Sequence, residues 1–266
     1  MPSPPASRRR RLLRLVLMPL SILQIAAIFS WTGLCVAGAL IARWLLGHER
    51  VSLGMARWMW APGVLLIAGL RIRSVHGADS IDHDRPYFIV SNHQSFLDIP
   101  VLFRTLPIDL RFVAKHELRK LPFVSHYIDA MGMIWVDRKN KERSRESIRA
   151  VGTAVASGRT VLLFPEGTRH DDDRVHRFKS GMLSASIGSG VEVLPVAVVG
   201  TADGMPPRSL SILPTVVDVR IGRPLSTDGY EPDERRPLAD AARDAVAALH
   251  AESLELRKRA REAGTA

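Results

Sequence analysis

From Leu15 to Ala42 the chain carries no charged residue. As a single helix that run would be about 42 Å long, longer than the roughly 30 Å hydrocarbon core of a bilayer. Pro19 near its start permits a break, as do Gly33 and Gly38 near its end. Trp31 and Trp44 are placed to mark interfacial depth. Arg8, Arg9, Arg10, Arg11 and Arg14 precede the run and read as contacts to an anionic membrane surface. A cleaved signal peptide is the competing reading, but its apolar region is normally only about 7–15 residues long. A lipid-attachment site at Cys35 fits poorly, because bulky Leu34 precedes it. The expectation is an uncleaved membrane anchor.

A second apolar stretch, Trp58 to Leu70, is too short to span by itself. With Trp58, Trp60 and Pro62 it suggests a segment lying in the interface or re-entering it. Arg43, Arg50, Arg57, Arg71 and Arg73 flank the two stretches, which by the positive-inside rule puts both flanks in the cytoplasm. A helical hairpin dipping into one leaflet satisfies that better than one span. The expected organisation is a basic tail over residues 1–14, a membrane-anchoring helical segment over 15–73, and a folded domain over 74–266. The expected location is the cell inner (plasma) membrane, with the folded domain on the cytoplasmic side.

The 266 residues suffice for one domain of roughly 200 residues with an appendage. The single cysteine excludes an internal disulfide framework. A net charge of +10 favours nucleic acid, anionic membrane or phosphorylated substrates as partners. Nucleic acid is set aside, because the basic residues flank an apolar segment rather than forming a helix or ribbon with interleaved aromatics. The cluster Arg257, Lys258, Arg259 and Arg261 reads as a solvated helix face.

Beyond residue 75, short β-branched runs alternate with helical stretches. Strands are predicted at Tyr87–Ser91, Arg111–Ala114, Gly132–Val136, Thr160–Phe164, Val193–Val199 and Val216–Ile221. Helices are predicted at Ile99–Thr105, Glu142–Ser157, Gly181–Ser189 and Leu238–Arg261. Several strands are apolar throughout, as expected when both faces are covered. The fold class is therefore α/β: a mixed central sheet flanked by helices, with an N-terminal membrane-embedded helical segment. Active sites of such sheets lie beyond the strand ends.

Four blocks fall near those ends: Asn92-His93-Gln94-Ser95-Phe96-Leu97-Asp98, Gly132-Met133-Ile134-Trp135-Val136-Asp137-Arg138, Phe164-Pro165-Glu166-Gly167-Thr168-Arg169, and Leu194-Pro195-Val196-Ala197-Val198-Val199-Gly200. A His-x4-Asp pair alone is weak evidence. Four blocks in this order, over about Tyr87 to Arg223, resemble the glycerolipid acyltransferase superfamily, and most closely its 1-acyl-sn-glycerol-3-phosphate acyltransferases. The apolar N-terminal segment resembles that family's too.

The resemblance implies transfer of a fatty acyl group from an acyl thioester to the sn-2 hydroxyl of lysophosphatidic acid, giving phosphatidic acid. The co-substrate would be acyl-CoA or acyl-acyl carrier protein, with no bound cofactor, and the partners would be lysophosphatidic acid and anionic membrane lipid. Another lysolipid acceptor, a lysophospholipid or an acylated amino-acid lipid, is the alternative. The residues support such chemistry independently. An alcohol needs a general base at neutral pH, and His93 suits that role with Asp98 fixing its tautomer. Ser95 is a rival nucleophile, but no Gly-x-Ser-x-Gly elbow occurs, and it reads as a residue shaping the turn. Arg138 and Arg169 carry forked donors suited to phosphate, and Gly167 and Thr168 add backbone and hydroxyl donors. By the resemblance, Glu166, Gly167 and Arg169 help hold the glycerol phosphate, with Arg138 contributing. Glu166 would orient an arginine or a glycerol hydroxyl rather than touch phosphate. Lys115, after a strand, adds positive charge. No metal is expected: His116-Glu117 lacks a second histidine of the His-Glu-x-x-His type, and one cysteine cannot build a zinc cage. The sequence departs from the family at His170, where serine is common, and at Trp135, which replaces a smaller apolar residue.

Overall fold

The computed structural model describes residues 8–47, 50–120, 122–137, 141–231 and 233–263. Two helices, α1 (Arg8–Val16) and α2 (Met18–Leu46), open the chain and are separated at Leu17. Pro19 sits in the first turn of α2, where its missing N–H costs nothing, so it starts a helix rather than kinking one. The glycines at 33 and 38 do not interrupt α2, which ends at Gly47 in the left-handed conformation.

The chain then returns as α3 (Arg50–Met55), a π-helical turn (Ala56–Trp60) and α4 (Ala61–Ala68). The sequence reading of a short apolar piece beginning at Trp58 is therefore extended. One helical run begins at Arg50, because the interruption at Arg57 is a side chain lying beside a cavity, not a helix break. Both α2 and the run Arg50–Ala68 are long and apolar enough to cross a membrane. They pack as an antiparallel hairpin. Gln24 Nε2 donates to Ile67 O at 2.8 Å, Trp31 Nε1 to Trp60 O at 3.2 Å, and Ser52 Oγ to Ala39 O at 2.8 Å. Gly63 lies flat against Trp31, leaving no room there for a Cβ.

The remainder is β1 (Leu70–His76), β2 (Phe88–Ser91), α5 (Asp98–Thr105), β3 (Leu110–Lys115), α6 (Pro122–Ala130), β4 (Ile134–Val136), α7 (Lys141–Ala156), β5 (Thr160–Leu163), α8 (Ser184–Ser189), β6 (Val193–Val199), α9 (Thr201–Gly204), β7 (Thr215–Ile221) and α10 (Arg235–Glu262). The seven strands form one mixed sheet in the order β1-β7-β6-β2-β5-β3-β4. All neighbours are parallel except β6 and β7. That topology aligns the carboxyl ends of β2 to β6 along one edge, with the amino ends of β1 and β7. The hairpin feeds β1, so it joins the sheet at this same edge.

The sheet is covered on both faces. Ile89, Leu162, Leu194 and Val196 pack with α5 residues and with Ala61, Val64 and Ala68 of the hairpin. Phe88, Val90, Val161 and Val193 pack against α7, α8 and α10 on the other face. Removing most of a buried side chain such as Leu102 would cost about 2–5 kcal/mol. Strand β1 was not anticipated. Its sequence, Leu-Arg-Ile-Arg-Ser-Val-His, alternates because it is an edge strand with one solvated face. In the C-terminal basic cluster Lys258 and Arg259 are exposed as expected, and one residue departs. Arg257 is not solvated but buried, bonding Asp218 at 3.2 Å and Asp203 at 3.1 Å, and so ties α10 to β7 and α9.

Candidate active site

Strand β2 delivers the first block. Its last pairs, Val90 with Leu163 and Ser91 with Val196, seat it between β5 and β6. Asn92 then prolongs the ladder with its side chain: Nδ2 donates to Val198 O at 2.8 Å and Oδ1 accepts from Val198 N at 2.9 Å. The chain turns, and α5 begins at Asp98, whose charge suits the amino end of a helix. That helix ends at Leu106 in extended conformation, as a residue before proline should.

His93 Nδ1 and Asp98 Oδ2 are 2.7 Å apart. The carboxylate accepts, so Nδ1 carries the proton and Nε2 is the basic nitrogen. Asp98 is fully buried, and donors surround it. Gln94 N and Ser95 N donate to Oδ2 at 2.8 and 2.9 Å, and Thr201 Oγ1 donates to Oδ1. A buried charge is tolerable only when saturated in this way. The His93 ring is held on a second side by Phe164, stacked at 4.0 Å.

Strand β5 delivers the third block. Gly167 adopts φ +78°, which lets its N–H turn back to Phe164 O at 3.1 Å. His170 N donates to His93 O at 2.9 Å, and His93 N donates to Glu166 Oε1 at 3.1 Å, locking the two blocks together. Glu166 is 5% exposed, and its Oε2 makes no hydrogen bond, with His170 Nε2 3.7 Å away. Burial pushes its carboxyl up to about 7, with the bond from His93 N pulling the other way. Arg169 lies over the Phe96 ring at 3.6 Å, on the loop that carries the His93–Asp98 pair. Thr168 is exposed.

Of the residues predicted for the site, His93, Asp98, Glu166, Gly167, Thr168 and Arg169 gather at this edge of the sheet. Lys115 ends β3 along the same edge. Arg138 lies outside the described residues. Ser95 is buried, and its hydroxyl is spent on Met205 O at 2.7 Å, as expected of a turn-shaping residue rather than a nucleophile. The sequence reading missed Thr201 and Phe164 as partners of the pair, and also His250, whose ring lies 3.2 Å from Gln94 Nε2. Only Thr201 carried a signal: it follows the fourth block after Gly200, whose φ of +107° makes the turn.

A second apolar feature adjoins the pair. A cavity of about 500 Å³ runs between the hairpin and the sheet domain. Phe96 and Leu97 line it at the loop between His93 and Asp98, and Ile28, Val36 and Ala39 line it along α2. His170, Asp172 and His176 bring potential ligand atoms within 4.8 Å of one another. The two rings stack at 3.7 Å with planes 18° apart, however, so one ion could not lie in both planes. The group reads as a loop clasp, with His176 bonding Asp172 at 2.8 Å. The arrangement as a whole can deprotonate a hydroxyl at Nε2 beside a cationic side chain and an apolar channel.

Comparison with known proteins agrees with this geometry. The Acyltransferase family model matches residues 72–199. A 1-acyl-sn-glycerol-3-phosphate acyltransferase of Chlamydomonas reinhardtii is 34% identical over 165 residues, covering 62% of this chain and 48% of that protein. The lyso-ornithine lipid O-acyltransferase of Rhizobium meliloti (strain 1021) is 32% identical over 185 residues, 70% of this chain and 54% of that protein. The chain thus spans about half the length of these curated relatives. The crystal structure of the 1-acyl-sn-glycerophosphate acyltransferase PlsC from Thermotoga maritima superposes with a TM-score of 0.75 at 26% identity, covering 91% of this chain and 97% of that one. Fold, block order and relatives converge: residues 72–199 match the Acyltransferase family model, and the chain resembles 1-acyl-sn-glycerol-3-phosphate acyltransferases in sequence and fold.

Proposed function

We propose that the protein transfers a fatty acyl group from an acyl thioester to the sn-2 hydroxyl of 1-acyl-glycerol-3-phosphate, giving phosphatidic acid. The observation that carries the reading is the 2.7 Å contact between His93 Nδ1 and a buried, saturated Asp98. Nε2 takes the proton of the acceptor hydroxyl, and the oxygen attacks the thioester carbonyl. The resulting imidazolium, stabilised by Asp98, returns its proton to the departing thiolate, so no acyl-enzyme forms. Arg169, with Arg138 and Lys115, binds the acceptor phosphate. The apolar cavity beside Phe96 takes an acyl chain. Acyl-CoA and acyl-acyl carrier protein both satisfy this chemistry as donor.

The hairpin supports membrane association, and we place it in the inner membrane with the α/β domain on the cytoplasmic side. Acceptor and product both reside in the bilayer, so an active site at the edge of the sheet that the hairpin joins meets them where they lie. The relative named for lyso-ornithine lipid favours a second reading, the same transfer to a lysolipid without a phosphate monoester. Thiol release by the purified protein with each donor, with and without lysophosphatidic acid, tests both readings. Release that requires the acceptor and yields phosphatidic acid upholds the first. Release only with a phosphate-free lysolipid replaces it with the second.

A further inference from the structure

The edge of the sheet opposite the catalytic one also carries a cavity, of about 980 Å³, between the amino ends of β2, β3 and β5 and the start of the hairpin's returning helix. Its lining is cationic. Arg50 and Arg57 enter from the hairpin, and Arg85, Arg111 and Arg159 from the sheet domain. Arg104 stands at its border, 4.6 Å from the Trp58 ring that Arg57 also approaches at 5.0 Å. The opposing carboxylates are fewer than the cations. Asp84 and Asp109 also line the cavity, both exposed to solvent, with Asp109 offsetting part of the charge at Arg57, and Glu192 is engaged with Arg85 at 3.2 Å. Among the described residues, no carboxylate lies within ion-pair distance of Arg50, Arg57, Arg104 or Arg159. The Nε of Arg57 is buried with no hydrogen-bond partner, and Arg111 is 5% exposed.

Cations converging in a half-enclosed site repel one another unless an anion is present. Guanidinium forks match phosphate in shape as well as charge. The rim indicates where such a phosphate would come from. Trp58, Met59, Val51 and Trp44 are exposed apolar side chains around the hairpin's turn and returning helix. Tryptophan and arginine together at the end of an apolar hairpin mark the headgroup level of a bilayer.

We propose that this cavity holds the headgroup phosphate of an anionic phospholipid, whose acyl chains lie along the exposed face of the hairpin. The inference rests on the hairpin being a membrane anchor, not on the reaction assigned above. Because its arginines come from both the hairpin and the sheet domain, a bound phosphate would clasp one to the other. The same hairpin walls the apolar cavity that reaches the catalytic loop. Anionic lipid would therefore fix the geometry of the acyl-chain channel from the far end of the molecule.

The test is flotation of the full chain with vesicles of phosphatidylcholine, alone or mixed with phosphatidylglycerol. Wild type is compared with Arg57→Gln/Arg159→Gln and with a control of equal charge loss on the far face, Arg145→Gln/Arg149→Gln. Wild type and control should gain equally from phosphatidylglycerol, and the cavity variant should lose about tenfold or more of that gain. All three should bind phosphatidylcholine alike. Equal losses in the cavity and control variants would overturn the proposal, leaving only general surface charge. Inorganic phosphate raising the melting temperature of the detergent-solubilised wild type, but not of the cavity variant, would assign the site to a free anion instead and overturn the lipid assignment. Should the double variant fail to fold, Arg50→Gln at the exposed rim carries the same comparison with a smaller expected loss. The readout is binding, so absence of acyl transfer would count against the proposed reaction and leave this result standing.

Discussion

Two buried carboxylates flank His93, and they are treated oppositely. Asp98 meets four donors: the imidazole, two backbone N–H groups and the Thr201 hydroxyl. Glu166 accepts from His93 N at Oε1 and feels the His176 backbone N–H, while Oε2 makes no hydrogen bond and has only His170 Nε2 at 3.7 Å. The first loop is saturated before any substrate arrives, so its geometry is fixed. The turn after β5 is under-satisfied, and burial pushes the Glu166 carboxyl up to about 7. A saturated group is preorganised for a proton transfer that must not be mis-aimed. An unsaturated one beside a cationic side chain is poised to exchange partners when a ligand enters. We therefore read the first loop as the chemical half of the site and the turn as its binding half.

If that division is right, the largest effects belong to the first loop. His93→Ala removes the base and should lower turnover by about 10³-fold, within the usual range for a positioned acid–base group. Its ring is 16% exposed, so the fold should survive, checked by circular dichroism beside the thiol-release assay. Wild-type turnover in that variant would break the comparison at its root. Asp98→Asn should cost about 10²-fold or more, because an amide in place of Oδ2 would face the N–H groups of Gln94 and Ser95 or turn the imidazole to the wrong tautomer. The loss should appear in kcat rather than in acceptor KM.

How much of this was legible in the chain depended on distance along it. Strands β2, β5 and β6 are short apolar runs buried on both faces, and they lie where the sequence placed them to within a residue or so. Strand β1 was hidden because Arg71 and Arg73 read as flanks of the apolar segment, whereas Arg73 is pinned to Asp218 of β7 at 2.7 Å. Helix α6 was hidden as well, since Pro122 opens it after a basic stretch that gives no amphipathic period. The His93–Asp98 pair was legible because a single turn brings the two residues together. What holds it was not: Thr201, which bonds Asp98, and His250, which meets Gln94, arrive through tertiary folding from α9 and α10. Local spacing encodes which groups react, and only the assembled sheet encodes what holds them.

The binding half should respond differently. Arg169→Ala should raise the KM for lysophosphatidic acid by about tenfold, as expected for one charge-assisted phosphate contact, with a smaller change in kcat. A change confined to the thioester KM would move Arg169 from the acceptor to the donor side of the site. Phosphate-free acceptors sharpen this further, since the proposed contact is absent for them and the substitution should leave their KM nearly unchanged.

Glu166→Gln should have the smallest effect on turnover and an informative effect on stability. The carboxyl is raised from 4.5 to about 7 in the folded protein, so the folded state holds its proton over a range where the unfolded chain has released it. The contribution to stability is full below about pH 4.5 and is lost as pH rises through about 7. Above that pH the wild type must bury an ionised carboxylate whose Oε2 has only the His170 ring at 3.7 Å beside it, and glutamine removes the charge. The variant's melting temperature relative to wild type should therefore climb between pH 5 and pH 8, with a gain of up to about 3 kcal/mol in unfolding free energy at the alkaline end. A difference independent of pH would mean that Glu166 is as well satisfied as Asp98, and the contrast between the two halves of the site would fall.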